Sequence, residues 1–209
     1  NGVTLIPNYL KSSFFNKDYK TPQWIKEKSW YLTKTSRRSL LKSAAGATAI
    51  AALPARSFTM AAQNKMLNEL TQEPWLTLDA TLKHLFPASP SGPSAKDIQA
   101  LPYLYNIVNI QPTEQAEIDF INKGVGWLNG YSQSQLNKNF TYLTFDEKEN
   151  MLKAISRSQA GENWLSTLIS YIFEAMLSPP SYGGNPNGIG WQWLQHQAGF
   201  PLPPVGKRY

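Results

Sequence analysis

The chain has no cysteine, only two histidines, and a charged fraction of 16% over its 209 residues. Without cysteine there is no disulfide, no thiolate metal site, no iron–sulfur ligation and no covalent c-type haem attachment on this chain. Neither His84 nor His196 has an acidic residue three or four positions away, the spacing that brings partners together on one helix face. Without such a partner, neither histidine reads as a general base. No His/Asp/Glu group has metal-ligand spacing. No stretch approaches 18 uninterrupted apolar residues, so no permanent membrane-spanning helix is expected.

What is present begins with Ser36-Arg37-Arg38-Ser39-Leu40-Leu41-Lys42. An Ala/Gly-rich apolar segment follows to Leu53, and Pro54 breaks it. Arg37 and Arg38 carry permanent charge on rigid forks of donors, followed by Leu40, Leu41, Lys42 and the diluted apolar run, in the order of a twin-arginine export address. Thr59-Met60-Ala61 and Leu53-Pro54-Ala55 are small-residue cleavage candidates. The route carries folded cargo, which suits proteins that must first acquire a cofactor or a partner. The pattern therefore predicts a periplasmic destination and the twin-arginine machinery as one partner.

Residues 1–35 read as a basic leader without stable order, 36–62 as the signal segment and 63–209 as one domain. Charge follows that division. Residues 1–62 hold ten basic and two acidic side chains, and 63–209 hold ten and twelve. The basic excess belongs to the leader, so a nucleic-acid role, which needs a basic patch on the folded part, is not expected.

The domain reads as all-α throughout, a single bundle of about five to six helices with a Gly/Pro-rich C-terminal docking loop. Leu78, Leu82 and Leu85 predict a helix over 74–86, stopped by Pro87. Ile98, Leu101, Tyr105 and Val108 predict helix over 95–109, either kinked at Pro102 or split there into two short helices. Pro112-Thr113 opens a third, with Glu114 and Glu117 near its positive end and with Gly124, Gly126 and Gly130 weakening its finish. Thr144-Phe145-Asp146-Glu147 is a capping box. It leaves Glu147 a capping group and Glu149 a solvated position rather than an acid pair. Leu165, Leu168, Ile169, Ile172, Phe173, Met176 and Leu177 make the helix over 162–178 apolar on most of its circumference, as a central core helix would be.

The C-terminal loop from Ser178 to Trp191 combines four glycines, three prolines and Tyr182. A phosphate loop needs a preceding strand and a following Lys-Ser/Thr, and both are missing. Tyr and Trp on a stiff loop make good interface anchors. Tyr182, Gly183, Gly184, Asn185, Gly190, Trp191, Trp193 and Phe200 are therefore the expected partner interface.

Tyr182-Gly183-Gly184-Asn185, Gly190-Trp191 and Gly199-Phe200-Pro201 resemble the C-terminal signature of the small (gamma) subunit of gluconate 2-dehydrogenase. Phe140-x-x-Leu143-Thr144, Glu147-Lys148 and Met151-Leu152 resemble that family's middle helix, and Leu82 with Leu85-Phe86-Pro87 its start. The likeness runs over 70–204. The stretch from Gln192 to Ala198 is a departure, being longer than the family's compact ending. The resemblance implies a non-catalytic accessory subunit of an oxidoreductase complex with no cofactor of its own. Its expected partners are a large flavoprotein dehydrogenase of the glucose–methanol–choline type, which would hold FAD, and a multihaem cytochrome c subunit. Such a complex oxidises a sugar, sugar acid or polyol at the periplasmic face of the inner membrane. A free-standing periplasmic helical module that binds a small ligand through its aromatic loop is the alternative.

Overall fold

The computed structural model describes residues 13–26 and 60–197. The helices within 60–197 are α1 (Met60–Leu70), α2 (Trp75–Leu85), α3 (Ala100–Asn109), α4 (Gln115–Leu136), α5 (Phe145–Ser156), α6 (Gln159–Leu177) and the short α7 (Ile189–Trp193). Short 3-10 turns lie at Phe140–Tyr142, Pro180–Tyr182 and Pro186–Gly188. The all-α expectation holds, with no strand among the described residues.

Helix α6 is the hub, packed against α2, α3, α4, α5 and α7. Ser158 starts it, its hydroxyl accepting the Gly161 N–H at 3.1 Å. Leu165, Leu168, Ile172 and Met176 are buried along its inner side. The capping box of α5 forms as read: Thr144 accepts the Glu147 N–H, and the Glu147 carboxylate accepts the Thr144 N–H at 2.7 Å. Those bonds hold the Glu147 carboxyl below the usual range.

Two helix expectations change. The segment expected as a kinked or split 95–109 helix begins as a turn, in which Asp97 accepts from both the Ser94 N–H and hydroxyl, and becomes helical only at Ala100. Pro102 then falls in the first turn, where its missing N–H would have no intrahelical partner anyway, so no kink or break is required. Helix α4 runs on to Leu136, six residues past Gly130. At Gly124 a Cβ would stand 2.0 Å from the Trp164 Nε1, so this glycine makes room for a fully buried indole from α6. Trp164 Nε1 donates to the Ile121 carbonyl at 3.1 Å. Packing outweighs the helix-weakening tendency of glycine here.

The larger correction concerns the leader. Residues 13–26 pack onto the bundle, and Phe14 is 1% exposed within the core. Their aromatic side chains bury apolar surface that works against the cost of ordering a short segment. The folded unit thus includes part of what reads as a basic leader.

Candidate functional site

The C-terminal loop is built by its own buried polar hub. Asn185 adopts the left-handed backbone region (φ 51°), which Asn tolerates better than most residues, and is 0% exposed. Its Oδ1 accepts the Gly190 N–H at 2.7 Å, its Nδ2 donates to the Ser178 carbonyl at 3.1 Å, and its backbone N–H donates to the Ile98 carbonyl at 2.9 Å. One side chain therefore ties the end of α6 to the start of α7, and its backbone ties both to the turn before α3. Gly184 and Gly190 are buried beneath α6: a Cβ would lie 2.6 Å from the Ala175 carbonyl oxygen and 2.3 Å from that of Met176.

The expected interface therefore divides. Gly184, Asn185 and Gly190 face inward and hold the loop on α6. Gly183, at φ +94°, sits over Asn106, whose amide donates to the Tyr182 carbonyl at 2.9 Å. Trp191 is half-buried and donates to the Leu177 carbonyl at 2.7 Å. Trp193 is the exposed member, lying near Phe86 and donating to the Ser91 carbonyl at 2.7 Å. Phe200 and the export residues Arg37, Arg38, Leu40, Leu41 and Lys42 lie outside the described residues.

An apolar stripe the reading of α6 as a core helix did not anticipate lies on that helix's outer face. Ile169, Phe173 and Leu177 recur every four residues and are 38%, 55% and 43% exposed. Spacing of four puts them in one row along the helix. At its C-terminal end the row meets α7 through the Trp191–Leu177 bond. The sequence carried a signal for it: α6 has more apolar residues than one buried stripe needs.

A cleft of about 520 Å³ opens beside the Tyr182 end of the loop, lined among others by Trp24, Tyr103, Glu117, Tyr171, Glu174 and Tyr182. Tyr171 donates to Glu117 at 2.5 Å and Tyr103 to Glu174 at 3.3 Å. Burial, then the neighbouring Glu117 carboxylate, pushes the Tyr171 phenol well above its ordinary range. Burial and Glu174 do the same to Tyr103. Both phenols remain donors at any physiological pH. Glu117 lies in the first turn of α4, where its reading as a helix-dipole residue puts it, and is in addition a buried acceptor. Its Tyr171 partner is 54 residues away, beyond the reach of local spacing rules.

His84 also has a distant partner. Its side chain is 5% exposed, with Nε2 2.7 Å from Glu149 Oε2, and its ring stands 4.5 Å from that of Phe145. Glu149 is therefore not merely a solvated position, since it joins α2 to α5 and also meets Lys153 at 3.0 Å. The His84 hydrogen bond, followed by that of Lys153, holds the Glu149 carboxyl below its usual range. A depressed carboxyl contributes stability above its unfolded pKa and loses it as pH falls through the folded value. Glu149→Gln should therefore melt below the wild type above the ordinary carboxylate range, about pH 5 and higher, with the gap closing as pH falls through the lowered folded value. Paired thermal melts across that range measure it, and a gap constant with pH would show that the ionised carboxylate contributes nothing.

Among the described residues, no group of three or more His, Asp or Glu side chains is placed to hold a metal ion, and no helix is long and apolar enough to cross a membrane. Residues 72–199 match the family described as gluconate 2-dehydrogenase subunit 3. No curated protein and no solved structure matches the chain.

Proposed function

The chain belongs to the gluconate 2-dehydrogenase subunit 3 family, and on that premise we propose that it is the non-catalytic small subunit of a membrane-associated sugar, sugar-acid or polyol dehydrogenase. Its partner is a large flavoprotein of the glucose–methanol–choline type that carries the FAD, and a multihaem cytochrome c completes the complex. This chain stabilises the flavoprotein in the cytoplasm and escorts it to the periplasm through the twin-arginine route. The motif from Arg37 to Lys42 is the address.

Beyond family membership, the observation that carries the reading is the uncovered row of Ile169, Phe173 and Leu177. Such a row on the central helix of a bundle is costly in water and suits burial against another subunit. The loop hub helps in a different way from that expected of the sequence. By fixing α7 on α6, Asn185 sets Trp193 and the α6 row in a rigid relation, which lowers the entropy lost on docking.

The test is purification of the tagged chain from the cell envelope, with a visible spectrum of whatever accompanies it. The wild type should bring a yellow partner. Phe173→Glu places a charge on the row without touching the core. It should keep the melting temperature and weaken the partner by about 2 kcal/mol or more, roughly thirtyfold in Kd. Arg37→Lys with Arg38→Lys should leave both proteins in the cytoplasm. A dehydrogenase that reaches the periplasm at full activity without this chain would sink the proposal.

The cleft beside Tyr182 favours a second reading, a free-standing module that takes a small ligand against Trp24, Tyr103 and Tyr171. That reading requires the native protein to run as a stable monomer on size exclusion.

A further inference from the structure

We propose that the groove between α4 and α6 is a peptide-docking site whose permanent occupant is the chain's own segment 13–26, held strongly enough to stay bound when the connection through residues 27–59 is cut. The folded subunit is then a bundle plus a strap. Any cleavage in or around the candidate export segment yields a two-piece protein instead of a shortened one. The inference rests on packing alone and stands whether or not Arg37-Arg38 directs export.

The contacts are those of a recognised peptide. Phe14 enters the core edge-on to Trp127 of α4, centroids 5.2 Å apart, and lies 5.5 Å from the Trp164 ring of α6. Phe15 meets Tyr131 at 4.9 Å. Further along, Tyr19 stacks on Phe120 at 6.4 Å, and Trp24 meets the same ring edge-on at 5.8 Å. Aromatic anchors seated in a packed groove are the pattern that dominates interface energetics. A polar clasp fixes the register. The Asn163 side-chain amide donates to the Tyr19 hydroxyl at 3.3 Å and to the Thr21 hydroxyl at 3.1 Å.

The segment also orders itself. Asn16 N–H donates to the Ser13 carbonyl, Tyr19 N–H to the Asn16 carbonyl, and Asp18 N–H to the Asn16 side chain. These local bonds reduce the entropy lost on docking. The groove exists only when α4 and α6 are already packed, because Trp127 and Phe120 come from one helix and Trp164 and Asn163 from the other. The strap therefore docks on the folded bundle and not on an isolated helix.

While the chain is intact, docking of the strap is intramolecular, and a cut removes that advantage. The experiment replaces residues 44–50 of the 209-residue chain with a site-specific protease sequence, cuts the folded protein, and runs size exclusion at about 10 µM with mass analysis of the peak. The N-terminal fragment should elute with the bundle in equal amount. Phe14→Ala should release it after the same cut, or fail to fold before the cut. Either result marks Phe14 as part of the core. A wild-type fragment that elutes alone overturns the proposal. So does a Phe14→Ala protein that keeps both the fragment and the parent melting temperature.

Discussion

Trp164→Ala should cost about 3–5 kcal/mol of folding stability, the range for removing a large buried aromatic. Trp164 is 0% exposed and the largest fully buried side chain of the bundle. Its ring fills the space over Gly124, borders Phe14, and donates its N–H to the Ile121 carbonyl. Truncation would empty the junction of α4, α6 and the strap together. With total stability typically about 5–15 kcal/mol, a loss of this size leaves a marginal protein. At roughly 2–4 °C per kcal/mol for a chain of this size, the melting temperature should fall by roughly 6–20 °C. The same junction can be tested from the other side. Gly124→Ala overpacks it in the wild type and should be nearly neutral once Trp164 is alanine, because the clash partner is gone. Thermal melts of the two single variants and the double variant close the cycle. Additive losses would mean that the two residues do not meet.

Asn185→Ala is the second large effect, and it separates scaffold from docking surface. Alanine leaves the Gly190 N–H and the Ser178 carbonyl without their side-chain partner. Each buried polar group left unpaired costs about 1–3 kcal/mol. Alanine in the left-handed region adds about 1–2 kcal/mol more. The combined loss should reach several kcal/mol and appear in the isolated protein with no partner present. Chemical denaturation of the purified chain measures it. An Asn185→Ala protein of wild-type stability that has lost only its partner would return this residue to the interface and refute the hub.

These two residues show what was legible along the chain. Thr144 and Glu147 were readable because a capping box is a local device, complete within four residues. Leu78, Leu82, Ile121, Leu128, Ile155 and Leu168 were readable as core because helical periodicity alone marks a buried stripe. The signature around Tyr182-Gly183-Gly184-Asn185 was readable as special, and as a family likeness, but its role was not. A glycine needed for close approach to Ala175 and a glycine needed for a flexible exposed loop look the same in a sequence. Asn185 differs from a surface asparagine only through what surrounds it.

Other features were not settled by local reasoning. His84 was judged by its neighbours in sequence, yet its partner Glu149 is 65 residues away on another helix. Phe14 lay in a lysine-rich stretch whose charge suggests solvation, yet a groove made by two distant helices receives it. Ile169, Phe173 and Leu177 looked like core because apolar residues are expected inside, and the geometry of five neighbouring helices left that row uncovered.

The sequence by itself determined the all-α class, most helix positions, the core stripes, the family and the absence of cysteine chemistry. All of these follow from composition or from patterns that repeat within a few turns. Only the tertiary structure decided that the leader contributes a strap, that the glycine loop is a brace, and which apolar row faces water. Each of those depends on which surfaces meet across large sequence separations, and burial is a property of the assembled bundle, not of any residue in it.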